Sequence, residues 1–329
     1  MSPGSRLAAD LKWETTEQLN FGLEFSILEG RIQVGADYYR KKTSNLLNAV
    51  QLPRTTGYTN SLRNVGKVSN NGFEFEVNSK ILDSDPFKWE LGLNMSFNRS
   101  KVLELYGGQD ILAGQLQMIR FTGFANTYRK GQPMGIIYGY EEDGYDMNGF
   151  IKYKSDSKVK IGDPNPNFIF GINSNMSFKN FSLSIFLNGT QGNDIVNMSS
   201  VAFTVDNTNG TNKIQDVVKN YWTPNNTNAK YPIPKNGNTF RFSDRYVEDG
   251  SYMRLRNIEL GYDLPVNKWI KMSSARIYVS GQNLLTLTKY SWVDPDVNSR
   301  GGSNSLDQGI DYSTYPSSKS LTVGVRLEF

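Results

Sequence analysis

The chain ends on a segment, residues 321–329, in which apolar and polar side chains alternate without a break. Side chains of a β-strand point alternately to opposite faces, so every second residue shares a face. One face of this segment carries Leu321, Val323, Val325, Leu327 and Phe329. A soluble sheet with one buried face has this pattern, and so does a lipid-facing strand of an outer-membrane barrel.

Eight further segments alternate in the same way and come in pairs joined by short turns, for example at Glu29-Gly30 and Lys179-Asn180. Together with the last segment they predict nine strands: residues 18–27, 31–39, 72–81, 88–97, 168–178, 181–189, 251–264, 275–285 and 321–329. A less regular pair, residues 117–125 and 133–141, raises the predicted number to eleven.

The connections between these segments alternate between short and long. Turns of two to about ten residues follow one strand, and stretches of roughly 28 to 60 residues follow the next. Soluble domains seldom carry several long loops without structure. Outer-membrane barrels do, because their periplasmic turns are short and their extracellular loops are long. The pattern therefore favours an all-β, antiparallel transmembrane barrel with long extracellular loops, of which the chain supplies about nine to eleven strands.

The residue types on the two faces agree with a barrel. Polar side chains alternate with the apolar ones: Glu74, Glu76, Asn78, Asn94, Asn98, Asn173 and Asn175. Aromatic residues gather near strand ends, as in an interfacial girdle: Tyr38, Tyr39, Phe87, Trp89, Phe178, Phe181 and Trp269. A soluble β-sandwich with aromatic pairs between strands is the structural alternative.

The composition excludes several classes of function. The chain has no Cys and no His, which removes disulfides, thiolate nucleophiles, His-ligated metals and Ser-His-Asp triads. Its charge of +4 is scattered and forms no basic stripe, so nucleic-acid binding is not predicted. No apolar run is long enough for a transmembrane helix, and the first residues do not resemble a signal peptide. One short helix is predicted in "NKIQDVVKNYW", with Asn212 as its cap.

Seven stretches, in a fixed order from about residue 10 to residue 329, resemble the SusC/RagA family of TonB-dependent outer-membrane transporters. They are "WETTEQLNFGLEF", "DYYRKKTSNLL", "TGYTNSLRNVGKVSNNGFEFEV", "GQPMGIIYGYEEDG", "IGDPNPNFIFGIN", "SYMRLRNIELGYDLP" and "IYVSGQNLLTLTKYSWVDPD". The resemblance implies a barrel of about 22 strands around a plug in the outer membrane of a Gram-negative bacterium. It also implies import of oligosaccharides or peptides, powered by the TonB complex and assisted by a SusD-like lipoprotein.

The resemblance covers only the C-terminal half of the family's barrel. We therefore interpret residues 1–329 as the C-terminal part of such a barrel, with no plug, TonB box or signal peptide, so TonB would act only through a missing plug. Alone, half a barrel would leave two unpaired edges, and we expect such a fragment to aggregate or oligomerise. The family's Asp-rich insertion is not carried over, because residues 145–160 read "YDMNGFIKYKSDSKVK".

The candidate contacts for a substrate are aromatic residues of the predicted loops, because flat rings bind sugar faces or peptide side chains at low entropic cost. They are Tyr58, Tyr106, Tyr221, Trp222, Tyr231, Trp292, Tyr312 and Tyr315. For any one of them, packing within a loop is the simpler explanation. Phe329 resembles the C-terminal aromatic signal that the barrel-assembly machinery reads.

No metal site or cofactor is predicted. Asp294, Asp296 and Asn298 have the first half of a calcium-loop spacing, but Ser299 and Ser305 stand where the loop needs Gly and Glu. The acidic cluster of Glu141, Glu142, Asp143 and Asp146 is interpreted as a solvated loop edge. Two alternatives to the transporter are open: a glycosidase with two carboxylates, which is not favoured, and a secreted carbohydrate-binding β-sandwich.

Overall fold

A computed structural model describes residues 5–7, 10–51, 54–58, 60–117, 122–205, 212–235, 237–238, 240–265, 272–296 and 306–329. Within these residues, no helix is both long enough and apolar enough to cross a membrane. Two residues named above lie outside the described residues: Trp269, predicted for the aromatic girdle, and Asn298, from the partial calcium-loop spacing.

The described residues form 19 strands and two short α-helices. The first eleven strands are β1 Ser5–Leu7, β2 Thr15–Ile27, β3 Ile32–Gln51, β4 Asn60–Ser84, β5 Phe87–Leu105, β6 Ile111–Gln117, β7 Thr122–Tyr128, β8 Ile136–Gly139, β9 Glu142–Tyr145, β10 Ile151–Tyr153 and β11 Val159–Gly162. The others are β12 Phe168–Phe178, β13 Phe181–Gln191, β14 Asp194–Asn197, β15 Val247–Asp249, β16 Tyr252–Asp263, β17 Ser274–Thr288, β18 Ile310–Asp311 and β19 Ser320–Glu328. The helices are α1 Val201–Thr204 and α2 Gln215–Asn220.

Nine of these strands form one antiparallel sheet, in the order β2-β3-β4-β5-β12-β13-β16-β17-β19, which we call the wall. They are the nine strands predicted with regular alternation, so that prediction is confirmed. Strand β1 adds to β4 in parallel. Short connections lie at one end of the wall, the turn end, and long connections lie at the other, the loop end.

Strands β3 and β4 are much longer than predicted. Residues 40–71 were expected to be mostly loop, but β3 continues to Gln51 and β4 begins at Asn60. The ladder continues across a bulge after Thr43, where Asn45 has a φ of 59°. Polar side chains do not interrupt such a ladder, because the backbone hydrogen bonds that hold it do not require an apolar face.

The less regular pair of predicted strands is not part of the wall. Strands β7 and β8 overlap these segments, but they belong to a separate sheet with the order β11-β8-β7-β6. Within the described residues, the wall therefore has nine strands, the lower end of the predicted range of nine to eleven. The two segments lack the sustained alternation of the wall strands, and both faces of β8 are largely buried, with Ile136 and Ile137 fully inaccessible.

The long connections fold into a compact layer at the loop end, which we call the loop layer. It contains three small sheets, β9-β10, β6-β7-β8-β11 and β14-β15-β18, together with α1 and α2. Its hydrophobic core includes Leu116, Ile137, Val196, Met198 and Ile310, each at most 1% exposed. The predicted helix is present as α2, but Asn212 does not cap it; Ile214 precedes the helix and makes no capping hydrogen bond.

The apolar faces of the wall strands lie in register and form one continuous outward belt. One row pairs Phe25, Val34, Val77, Leu93, Ile172 and Leu187 across six strands. Much of the belt is exposed, including Phe21 (62%), Val323 (70%) and Leu321 (73%). Because none of the described residues forms a second sheet over this face, the β-sandwich alternative is wrong. The belt is instead what a lipid-facing barrel wall requires.

Candidate substrate-binding cavity

A cavity that joins charged and aromatic side chains lies in the loop layer. It has a volume of about 710 Å³ and is bordered by α2, by residues around β15 and by the segment after β17. Its walls carry four carboxylates, two cations and two of the predicted aromatic residues: Glu142, Asp216, Asp244, Glu248, Lys230, Arg245, Tyr231 and Trp292.

A partly buried ion pair lies on one side of this cavity. The guanidinium Nε of Arg245 donates to both carboxylate oxygens of Glu142 at 2.9 Å, and its Nη2 also contacts that carboxylate. Arg245 Nη1 donates to the carbonyl oxygen of Lys230 at 2.7 Å, and the Ser243 hydroxyl donates to Glu142 at 2.7 Å. Burial opposes the charge of Arg245, but the hydrogen bonds and charge of Glu142 outweigh it and raise the pKa of Arg245.

This pair corrects the expectation that Glu142 lies on a solvated edge, since its side chain is only 10% exposed. The neighbouring Glu141 and Asp143 fit that expectation better, because they form exposed ion pairs with Lys154 and Lys152. Glu142 and Arg245 are separated by about 100 residues, and no local sequence motif connects them. Only the fold brings their charges together.

Asp216 organises the opposite side of the cavity. Its carboxylate accepts hydrogen bonds from Lys230 Nζ at 2.7 Å, the Tyr231 hydroxyl at 2.8 Å and Asn220 Nδ2 at 2.6 Å. These hydrogen bonds, that of Lys230 first, lower the pKa of Asp216 to about 2. Burial is the main cause that raises the pKa of Tyr231, and its hydrogen bond to Asp216 raises that pKa further. Asp216 is therefore ionised at neutral pH and fixes the ring of Tyr231 at the cavity.

Trp292, which lines the cavity, belongs to a stacked aromatic pair. The rings of Trp292 and Phe203 stack with centroids 5.7 Å apart and an interplanar angle of 22°. The neighbouring Ser291 donates from its backbone N–H and its hydroxyl to Glu248, both at 2.8 Å, which fixes the chain beside Trp292. The cavity thus combines a flat apolar platform with carboxylate, ammonium and hydroxyl groups, as sites for polar organic ligands do.

The structure brings only some of the predicted aromatic residues to this cavity. Tyr231 and Trp292 line it, and Tyr221 forms a backbone bridge with Tyr231. Trp222 is only 7% exposed, and its ring packs so closely on Gly149 that a Cβ there would lie 2.5 Å from it. Tyr312 packs against the core of the loop layer. Trp222 and Tyr312 thus have evident packing roles, whereas the assignment of substrate contacts stays a prediction.

The other three candidates lie away from the cavity. Tyr106 accepts a hydrogen bond from Arg63, whose guanidinium also lies 5.3 Å from the centre of the Tyr106 ring. Tyr58 and Tyr315 are 38% and 89% exposed. The sequence did not indicate Asp216, Lys230 or Arg245, because a lone charged residue in a loop is usually solvated.

Two other predicted features have clear positions. Phe329 directly follows β19 and is 83% exposed, at the turn end of the wall. Asp294, from the partial calcium-loop spacing, is instead the partner of the buried Arg254. It also accepts backbone N–H groups of Ser317 at 2.8 Å and Asp296 at 2.9 Å. Burial raises the pKa of Asp294, but these donors outweigh it and lower that pKa overall.

The inward face of the wall carries a polar surface. Near the loop end of β2–β5 it forms an open recess of about 500 Å³ that includes Asn20, Asp37, Lys41, Glu74 and Asn98. The Tyr39 hydroxyl, in the same recess, donates to Asn98 at 3.3 Å. A polar inner face opposite an apolar outer face is the arrangement of a large outer-membrane barrel.

Fold and sequence place the chain among the β-barrels of TonB-dependent receptors. The family model for "TonB dependent receptor-like, beta-barrel" matches residues 1–284, so the chain belongs to this family. The membership confirms the predicted relationship and the prediction that the chain is not an enzyme, since the family consists of receptors and transporters.

The names of three relatives agree with the predicted group. TonB-dependent receptor P3 of Formosa agariphila is 33% identical over 97% of this chain and 34% of its own length. TonB-dependent receptor SusC of Bacteroides thetaiotaomicron is 29% identical over 97% of this chain and 32% of its own length. A structure of the RagAB peptide importer in a closed state is 25% identical with a TM-score of 0.80, covering 97% of this chain and 36% of that chain. The chain thus spans about a third of the length of these relatives.

Proposed function

We propose that the chain forms part of the barrel wall and the extracellular loop layer of an outer-membrane nutrient importer in a Gram-negative bacterium. The observation that carries this proposal is the outward belt, whose apolar side chains stay exposed and in register across nine strands. In water such a surface would cause aggregation, whereas in a membrane the acyl chains cover it. The turn end then faces the periplasm and the loop layer faces outward.

In this importer the two described surfaces have different tasks. The polar inner face of the wall lines the translocation space, and the cavity beside Trp292 and Tyr231 takes part in substrate capture. Oligosaccharides, or else peptides, are the proposed substrates, because both combine hydrogen-bonding groups with surfaces that stack on aromatic rings. The peptide alternative is supported by the likeness to the RagAB peptide importer.

The proposed partners follow from the same assignment. A SusD-like lipoprotein would close over the loop layer, and the TonB complex would act through the plug that the family resemblance implies. Outer-membrane lipids would cover the belt, and the barrel-assembly machinery would read Phe329. The exposure of Phe329 at the end of β19 supports the last assignment.

Uptake by intact cells tests this function. The gene in its natural length is deleted, and import of labelled oligosaccharide and peptide mixtures is compared before and after complementation. We expect deletion to abolish uptake of one substrate class. Complementation with Trp292→Ala should restore the protein in the membrane. Uptake at low substrate concentration should nevertheless be about tenfold lower than with the wild-type gene, because the substrate loses an aromatic contact of about 1–1.5 kcal/mol.

Tyr315→Ala is the matched control, because Tyr315 is an exposed loop aromatic that does not line the cavity. An equal loss of uptake in this variant would contradict the assignment of capture to the cavity. Unchanged import of both substrate classes after deletion would contradict the proposed function itself.

A further inference from the structure

Four cations lie on the outward face of the wall, on the same face as the apolar belt. Arg40 and Lys42 follow Tyr38 on β3, and Arg99 and Lys101 follow Phe97 on β5, each at every second residue. Strand β4 connects them in register, since Asn71 pairs with both Arg40 and Arg99, and Ser69 pairs with both Lys42 and Lys101. All four cations are exposed. We call this set the basic rim.

The basic rim begins where the apolar belt ends. On β5 the outward belt runs from Phe87 to Phe97, and ten residue steps at about 3.4 Å, tilted by about 40°, give a height of about 26 Å. That is the height of the apolar band of an outer-membrane barrel, about 25 Å. Phe21, Tyr38, Phe73 and Phe97 form the aromatic row at this upper edge. The cations two and four residues beyond this row therefore lie at the level of lipid headgroups.

The protein leaves most of this charge unneutralised. Among the described residues, no carboxylate oxygen lies within 4.0 Å of the side-chain nitrogens of Arg40, Lys42 or Lys101. Arg99 donates to the backbone carbonyls of Pro166 and Asn167 at 3.1 and 3.0 Å, which positions its guanidinium without cancelling its charge.

The nearby acids neutralise only a small part of this charge. Glu17 pairs in register with Lys42, and Glu104 is already paired with Lys67. The rim thus keeps a net charge of +3 when its four cations are set against Glu17. By comparison, two outward residues near the loop end of β17 are apolar, Leu285 and Leu287, each 52% exposed.

We propose that the basic rim binds the phosphorylated headgroup of an outer-leaflet lipid, whose acyl chains lie along the aromatic row beneath it. Guanidinium and ammonium groups donate charge-assisted hydrogen bonds to phosphate oxygens, and Arg can do so in a bidentate way. Phe73 and Phe97, with ring centroids 6.4 Å apart, offer the acyl chains a continuous apolar surface. The site rests on the proposed outer-membrane location but is independent of the imported substrate.

Lipid binding to the natural full-length protein in detergent tests this site by native mass spectrometry. The probes are diphosphorylated lipid A, the same lipid after enzymatic removal of its phosphates, and inorganic phosphate. We expect diphosphorylated lipid A to bind at least tenfold more tightly than the dephosphorylated form. The triple variant Arg40→Gln/Lys42→Gln/Lys101→Gln should bind diphosphorylated lipid A roughly 100-fold more weakly. Each basic residue near an anionic lipid surface raises the affinity about fivefold, and the variant loses three of them.

Lys41→Gln is the matched control, since Lys41 lies between two rim residues on β3 but belongs to the inward recess. It should bind the lipid as the wild type does. Heat-modifiable migration on gels verifies that each variant has a folded barrel. If the wild type itself failed to enter the outer membrane, that result would contradict the proposed function and not the lipid site. If the triple variant misfolds, the single variant Lys101→Gln replaces it, and we expect its affinity for diphosphorylated lipid A to be about fivefold lower.

Any one of three results with the lipids would overturn the site: equal binding of both lipid forms, unchanged binding by the folded rim variant, or an equal loss of binding in Lys41→Gln. Displacement of lipid A by inorganic phosphate at equal concentration would also overturn it, because the site would then recognise a free anion and not a lipid. Retention of an acidic protein by the rim in place of lipid A would have the same consequence.

Discussion

The wall and the loop layer use apolar residues in opposite ways. In the loop layer, Ile310 and Val196 are completely buried in an ordinary close-packed core. In the wall, Leu321 and Val323 are more than two-thirds exposed, although their strand has the more regular apolar pattern. The difference shows that an alternating apolar face indicates a contact with something apolar, and that the contact can be another layer of the protein or lipid.

Where the two regions meet, a charged group is buried. Arg254 lies on β16, is 2% exposed, and pairs with Asp294 from the loop layer. It also donates to the hydroxyls of Thr286 and Ser317, both at 3.0 Å. This network joins the wall to the segment that carries Trp292, so its loss should affect both regions.

The largest effect is therefore expected from Arg254→Met. It leaves the carboxylate of Asp294 buried without a cation, which typically costs about 3–5 kcal/mol. The free energy of unfolding from urea denaturation measures the loss. Arg256→Met is the control, because Arg256 is exposed and bonds only to Asn283 among the described residues. Equal losses in the two variants would mean that the network does not join the regions.

A core deletion in the loop layer should separate it from the wall. Ile310→Ala removes a fully buried side chain, at a cost of about 2–5 kcal/mol. Hydrogen exchange should accelerate in β14 and β18, while the heat-modifiable migration of the barrel stays unchanged. Leu321→Ala, at an exposed wall position, should change neither measurement. If β14 and β18 keep their protection in Ile310→Ala, the loop layer does not depend on this core.

An added charge should distinguish the two faces of the wall. Val323→Arg places a cation among the outward side chains near the middle of β19, where the cost in lipid is about 2–4 kcal/mol. We expect less protein in the outer-membrane fraction, measured by quantitative immunoblotting. Thr322→Arg adds the same charge one residue earlier, on the inward face, and should assemble normally. A similar loss in both variants would contradict the assignment of the lipid-facing side.

The smallest effect concerns the pH dependence of the cavity. Hydrogen bonds from Lys230, Tyr231 and Asn220 lower the pKa of Asp216 to about 2, below the value of about 3.9 in an unfolded chain. A lowered pKa in the folded state means that the stabilisation is complete above about pH 4 and is lost as the pH falls through about 2. Hydrogen exchange of α2, compared with Asp216→Asn at each pH, should show a difference at pH 5 that disappears near pH 2. A constant difference would contradict this role.

Much of the wall could be predicted from the sequence. Strands such as Phe168–Phe178 were predicted residue for residue, because period-two alternation and a two-residue turn are local properties of the chain. The extensions of β3 and β4 could not be, since their polar residues 40–51 and 60–71 are held by pairing with each other and not by an apolar pattern. Of the separate sheet of β6, β7, β8 and β11, only segments overlapping β7 and β8 were predicted. Both faces of β8 are largely buried, so its sequence does not alternate.

The candidate site was predictable only in part. Aromatic residues in loops indicated Tyr231 and Trp292, but the same rule also selected Trp222, which is buried under Gly149. The charged groups that shape the cavity, Glu142 with Arg245 and Asp216 with Lys230, come from distant or unpatterned loop positions. A residue's type does not tell which opposite charge it will meet.

The sequence by itself therefore determined the strand order, the two faces of the wall and the family to which the chain belongs. These follow from local alternation and from short turns, which permit only antiparallel neighbours. Only the tertiary structure decided which loop segments join the core, where Arg254 is buried, and which aromatic rings border a cavity. Those outcomes depend on packing and charge pairing between residues far apart in the chain, which no local pattern encodes.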